Sequence, residues 1–267
     1  MNVEHDEPIL MVENLVARYG DRTVLEDVSF TVRRGEILVI LGGSGSGKTT
    51  LLRCLVGLKR PSSGRILLMG EDFTALSEER RLELRQRMGM CFQGSALLGS
   101  LTVGDNVALP LREHTRLEEP TIEIMTRIKL NLVGLTGFEG YLPSELSGGM
   151  KKRAGIARAT ILDPEIIFYD EPSAGLDPIV AAGLDQLIRK MQEAFGLTSV
   201  VVTHEMESVR LIADRICMLH RGRVVGLGTL EELERSEHPY VRQFFARRPD
   251  DGAGADSDFV RSLTGSG

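Results

Sequence analysis

Gly42-Gly43-Ser44-Gly45-Ser46-Gly47-Lys48-Thr49 decides the reading of this 267-residue chain. The stretch fits G-x-x-x-x-G-K-[ST], and its surroundings are those the pattern requires. Ahead of it, Glu36-Ile37-Leu38-Val39-Ile40-Leu41 ends in a short continuous apolar run, the mark of a strand buried on both faces. Behind it, residues 49–57 carry apolar side chains at helical spacing. Glycines let such a turn point its N–H groups inward, and the following helix adds its positive N-terminal end. The result is a phosphate cradle, with Lys48 placed for β- and γ-phosphate oxygens and the Thr49 hydroxyl for Mg²⁺. Thr50 extends the same binding set. A ligand-free glycine turn is the plain alternative, and the complete pattern counts against it.

Outward from the cradle, strand-like runs at 9–19 and 24–33 flank the turn Gly20-Asp21 and predict an N-terminal antiparallel β subdomain. Residues 65–69 read as a further strand and 77–87 as a charged helix capped by Ser77. From about 95 to 162 a helical subdomain is expected, in which 103–111 leads into a polar segment at 112–120 and 121–133 then has helical periodicity. Strands at 165–169, 198–203, 216–219 and 223–227 then alternate with helices at 179–195 and 206–213. This alternation predicts an α/β fold, a mostly parallel sheet flanked by helices. The expected organisation is one domain over residues 1–247, with a helical subdomain at about 95–162 inserted in it, and a flexible tail at 248–267 that is small, acidic and poor in apolar residues.

A second piece of phosphate chemistry follows the apolar run Ile166-Ile167-Phe168-Tyr169. Asp170, at the strand end, can hold Mg²⁺ through water. Glu171, one residue on, can polarise an attacking water as general base. Acidic residues that end strands are common, so this pair gains its meaning from the cradle.

Composition excludes several classes. Apolar residues (42%) and charged residues (26%) are globular in proportion. A net charge of −6 argues against a nucleic-acid partner. No apolar run approaches a membrane span, and the acidic start, MNVEHDEPIL, lacks a signal pattern. Cys54, Cys91 and Cys217 are scattered and odd in number, which suits core residues better than disulfides or metal ligands.

Leu146-Ser147-Gly148-Gly149-Met150 resembles the LSGGQ signature of ABC ATPases, and with the motifs above the chain is similar to that family over about residues 9–230. The resemblance implies a P-loop NTPase core that hydrolyses ATP with Mg²⁺. It implies a head-to-tail homodimer in which Ser147, Gly148 and Gly149 of one copy close on the γ-phosphate held by the other. Tyr19 matches the aromatic that stacks on adenine. Gln93 matches the Q-loop glutamine that senses Mg²⁺ and the attacking water. Asp177, in Ser173-Ala174-Gly175-Leu176-Asp177, looks like the D-loop aspartate at the dimer interface, and His204 like the switch histidine that contacts the γ-phosphate.

Within that family, Met150 in place of glutamine and the segment Pro110-Leu111-Arg112-Glu113-His114-Thr115 look like the Mla-type branch that energises phospholipid transport. That likeness implies separate permease subunits, an Mce-domain lipid-binding protein and, in some relatives, a STAS-domain protein on the helical subdomain. It places the chain peripherally at the cytoplasmic face of the inner membrane. The segment 110–115, just after Gln93, reads either as a solvated loop or as part of a permease contact. The motor of an importer for amino acids or another solute is the alternative, followed by a non-transport ATPase.

Overall fold

Every residue of β3 (Ile37–Leu41) is buried, because its alternate side chains enter two different cores. Ile37, Val39 and Leu41 pack in one, Leu38 and Ile40 in the other. β7 (Ile166–Asp170) divides in the same way, Ile167 and Tyr169 against Ile166 and Phe168. Each fully buried Leu, Ile or Val contributes roughly 1.5–3 kcal/mol, so this two-sided strand set is the main anchor of the fold. The computed structural model describes residues 8–248.

A six-stranded sheet runs in the order β10 (Arg223–Gly228), β9 (Arg215–His220), β3, β8 (Thr198–Thr203), β7 and β6 (Met88–Cys91). The pairs β9–β3, β3–β8, β8–β7 and β7–β6 are parallel, and only β10 runs antiparallel. A separate antiparallel sheet has the order β2 (Arg22–Arg33), β1 (Pro8–Tyr19), β4 (Ser63–Leu68) and β5 (Glu71–Asp72). It shares its core with one face of the six-stranded sheet and with α1 (Lys48–Leu55). The α/β reading, with an N-terminal antiparallel sheet, describes this arrangement.

The opposite face packs against α3 (Val103–His114), α4 (Glu119–Leu132), α5 (Gly148–Thr160) and α6 (Pro178–Phe195). Short polar side chains start three of these helices: Thr102 caps α3, Ser147 caps α5 and Asp177 caps α6. Ser77 caps α2 (Glu78–Gln86) as expected. The remaining helices are α7 (Met206–Ile212), α8 (Leu230–Glu234) and α9 (Pro239–Phe245).

The polar segment expected at 112–120 is corrected by the structure. α3 continues through Pro110 to His114, and α4 already begins at Glu119. The charged residues cover a helix end: Arg112 pairs with Asp105 one side and Glu119 the other. Thr115 then closes α3 with its hydroxyl on the Leu111 carbonyl at 2.7 Å. The tail at 249–267 lies outside the described residues.

Candidate functional site

Four neighbouring parallel strands end side by side, and each leads into one expected motif. β3 delivers the cradle 42–49, β8 delivers His204, β7 delivers Asp170 and Glu171, and β6 delivers Gln93. Carboxyl ends of parallel strands are where α/β sheets place ligands.

The cradle is shaped for an anion. Gly45 and Gly47 have φ of 74° and 107°, a left-handed backbone that favours glycine. A Cβ at Gly47 would lie 2.7 Å from Leu25 Cδ2, and one at Gly42 only 2.3 Å from the Leu219 carbonyl oxygen. Gly47 is the N-cap of α1 and offers no side-chain cap, and no acidic residue stands in the first turn. The first N–H groups of α1 are thus left for an external acceptor, as phosphate requires. Lys48 Nζ donates to the Gly42 and Gly43 carbonyls at 2.7 and 3.1 Å. Burial holds its ionisation below the usual lysine value, against the pull of Glu171 and Asp170.

Opposite the lysine, burial and the neighbouring Glu171 charge raise Asp170 above the ordinary carboxylate range, with Arg53, Lys152 and Lys48 opposing. Glu171 takes a left-handed backbone at φ 47°, unusual for a non-glycine residue. Its Oε1 lies 2.9 Å from His204 Nδ1, while Oε2 is buried without a partner. His204 itself is exposed. One carboxylate oxygen is therefore oriented and the other is left to hold a water or a substrate proton. Thr49 at the start of α1, Asp170 at the end of β7 and Gln93 just after β6 carry oxygen donors, the chemistry that suits Mg²⁺.

Tyr19 stands half exposed at the end of β1. Its hydroxyl is bonded by Arg53 first and by Thr50, which holds its ionisation below the usual tyrosine value. Lys59 lies over the ring with Nζ 4.0 Å from the centroid. Ser147, at the start of α5, accepts from Met150 N at 3.3 Å. A Cβ at Gly149 would meet Val180 Cγ1 at 2.5 Å, so the signature glycines abut the start of α6 beside Asp177. Asp177 receives the N–H groups of Ile179 and Val180, both at 3.1 Å.

Sequence reading passed over several neighbours of the site. Tyr240 of α9 accepts from Gly43 N at 3.3 Å and stacks on His220 with centroids 3.5 Å apart. Lys152 of α5 donates to the carbonyls of Gln93 and Glu171. Nothing in a single sequence marks either residue, since both act on backbone atoms. The three cysteines are buried, and burial pushes Cys54 up to about 11 and Cys91 and Cys217 up to about 12, which keeps them inert thiols. Among the described residues no helix is long and apolar enough to cross a membrane.

Comparison with known proteins agrees with this geometry. The family described as "ABC transporter" matches residues 25–174. The chain is 43% identical to the intermembrane phospholipid transport system ATP-binding protein MlaF of Haemophilus influenzae, over 92% of this chain and 93% of that protein. It is 44% identical to the probable ribonucleotide transport ATP-binding protein mkl of Mycobacterium tuberculosis, over 89% of this chain and 66% of that longer protein. Among solved structures, cbiO1 of Clostridium perfringens, part of the ABC transporter complex cbiONQ, superimposes with a TM-score of 0.80 at 31% identity, covering 91% of this chain and 97% of that one. An ATP-binding cassette solved as a dimer in a post-hydrolysis state with ADP and Pi gives 0.76 at 30% identity, covering 83% and 98%. The chain belongs to the ABC transporter family of ATP-binding proteins.

Proposed function

We propose that this chain is the ATP-hydrolysing subunit of a phospholipid transport system. The observation that carries the ATPase reading is the meeting of cradle, Asp170-Glu171, Gln93 and His204 at the ends of four adjacent strands. The lipid cargo rests on similarity to the H. influenzae MlaF over nearly the full length of both proteins.

In this reading residues 42–50 hold the triphosphate, Tyr19 stacks on adenine, and Ser147, Gly148 and Gly149 of a second copy close on the γ-phosphate. Thr49, Asp170 and Gln93 would hold Mg²⁺, which when bound would neutralise charge on the phosphate oxygens. Glu171 Oε2 takes a proton from the attacking water while His204 keeps Oε1 oriented. Lys48 moves from the loop carbonyls to phosphate oxygens, where its charge offsets that developing in the transition state. Asp177 lies at the interface between copies.

The helical layer α3–α5, near 95–162, passes closure to a permease docked beside the exposed Phe92 and Leu98, which flank Gln93 in sequence. Exposed Ile124, Ile128 and Leu132 form one stripe along α4, a surface suited to a small STAS-domain partner. An Mce-domain lipid-binding protein completes the assembly, and the chain sits peripherally on the cytoplasmic face of the inner membrane. Residues 1–247 act as one ATPase domain.

Purification from native membranes tests the cargo. Permease, Mce-domain protein and bound phospholipid should come with the chain. The 44% identity to mkl supports a second reading, ribonucleotide or other solute transport. A solute-binding protein in place of the Mce-domain protein would favour it.

A further inference from the structure

Helix α5 grips the segment after β6 at three successive turns of its own face. Lys152 donates to the Gln93 carbonyl. Gly155, one turn on, lies against Ser95, whose Cβ would be in ordinary van der Waals contact, at 3.4 Å, with a Cβ placed there. Arg158 donates to the carbonyls of Ser95 and Ala96, both at 2.7 Å. Ser95 and Ala96 are consecutive left-handed residues, with φ of 62° and 47°. Such a pair persists only where surrounding groups over-determine it, and the cations of α5 supply that constraint.

Lys152 does one thing more. The same ammonium lies 3.2 Å from the carbonyl oxygen of Glu171, a third left-handed residue. It is half-buried, and burial holds its ionisation below the usual lysine value. Its three protons suffice to serve both carbonyls at once.

We infer that Lys152 is a positioning residue for hydrolysis: one ammonium ties the backbones of Gln93 and Glu171 to the signature helix, so the carboxylate of Glu171 is aimed only while α5 is correctly seated. The inference rests on the ATPase reading above and assigns that site a link to its helical layer. Lys152 touches neither phosphate nor water in this account. It acts through the strained backbone of Glu171, whose N–H is fixed separately by the Val202 carbonyl at 2.9 Å. A methionine at 152 keeps the stem and removes both bonds. An arginine keeps a donor fork of similar reach.

The test compares wild type, Lys152→Met and Lys152→Arg as full-length chains, with Mg·ATP binding by calorimetry and turnover by phosphate release. Binding by Lys152→Met should stay within about twofold while kcat falls about tenfold to a hundredfold, the scale of a misplaced catalytic group. Lys152→Arg should recover most of the loss. Turnover of Lys152→Met equal to an active wild type would overturn the inference alone. Loss of binding together with turnover, or no rescue by arginine, would overturn it too by showing a merely structural role. A wild type that binds ATP but releases no phosphate, with or without partner subunits, would overturn the ATPase reading and this inference with it.

Discussion

Nδ1 of His204 and Oε1 of Glu171 lie 2.9 Å apart, across the ends of the adjacent strands β8 and β7. The pair divides labour within one carboxylate, because Oε2 of Glu171 is buried and has no partner. Glu171→Gln should therefore leave ATP binding intact and lower phosphate release by about 10²- to 10⁴-fold, the usual weight of a general base.

In the proposed mechanism His204→Ala removes the group 2.9 Å from Glu171 Oε1 and leaves the proposed base in place. Turnover should fall, and the double variant His204→Ala with Glu171→Gln should be no slower than the slower single variant. Residues that act as one unit are non-additive in this way. Phosphate-release kinetics on the four chains check it. Strictly additive losses would separate the two residues.

Two cradle glycines should respond differently to alanine. At Gly42 the new Cβ would sit 2.3 Å from the Leu219 carbonyl oxygen and 2.8 Å from Ser46 Oγ, so backbone must move. Gly42→Ala should cost about 1–3 kcal/mol and abolish nucleotide binding. At Gly45 the space is open and the only cost is the positive φ, about 1–2 kcal/mol or less. Chemical denaturation of each variant measures the difference.

Asp185 lies buried on α6, with Oδ1 unpaired and the other side of the carboxylate bonded by Ser208, which in turn meets Ser173 at 3.1 Å. Burial raises its folded-state ionisation above the usual Asp value. The folded chain then holds that proton more tightly than the unfolded one, so this carboxyl costs stability as pH rises through the raised value. The stability of Asp185→Asn relative to wild type should therefore increase between pH 4 and pH 7. Urea unfolding at the two pH values checks the sign. A difference that shrinks toward pH 7 would contradict it.

The strands were legible because their signals are local. β8 was readable to its end residues in Thr198-Ser199-Val200-Val201-Val202-Thr203, a run buried throughout. Met88–Cys91 carries too little pattern for a strand to be legible, being four residues that include Gly89. α8 and α9 are short enough that their start signals, the Thr229–Glu232 capping box and Pro239, stand without a periodic apolar run behind them. The charge run at 112–120 reads as a loop from composition, which does not encode that Arg112 pairs with Asp105 two turns back on α3 and with Glu119 at the start of α4. Motif residues of the site stood out through fixed spacing. Lys152 and Tyr240 did not, because each binds a main-chain group and any polar side chain of suitable length would read the same.

The proposed two-copy nucleotide sandwich should persist in Glu171→Gln, which stops the step that would open it. Its mass in solution should be measured by light scattering without nucleotide and with Mg·ATP. The Glu171→Gln chain should be a monomer without nucleotide and a dimer with Mg·ATP, and adding Ser147→Arg should return it to a monomer. A Glu171→Gln chain that binds Mg·ATP fully and stays monomeric would contradict the sandwich.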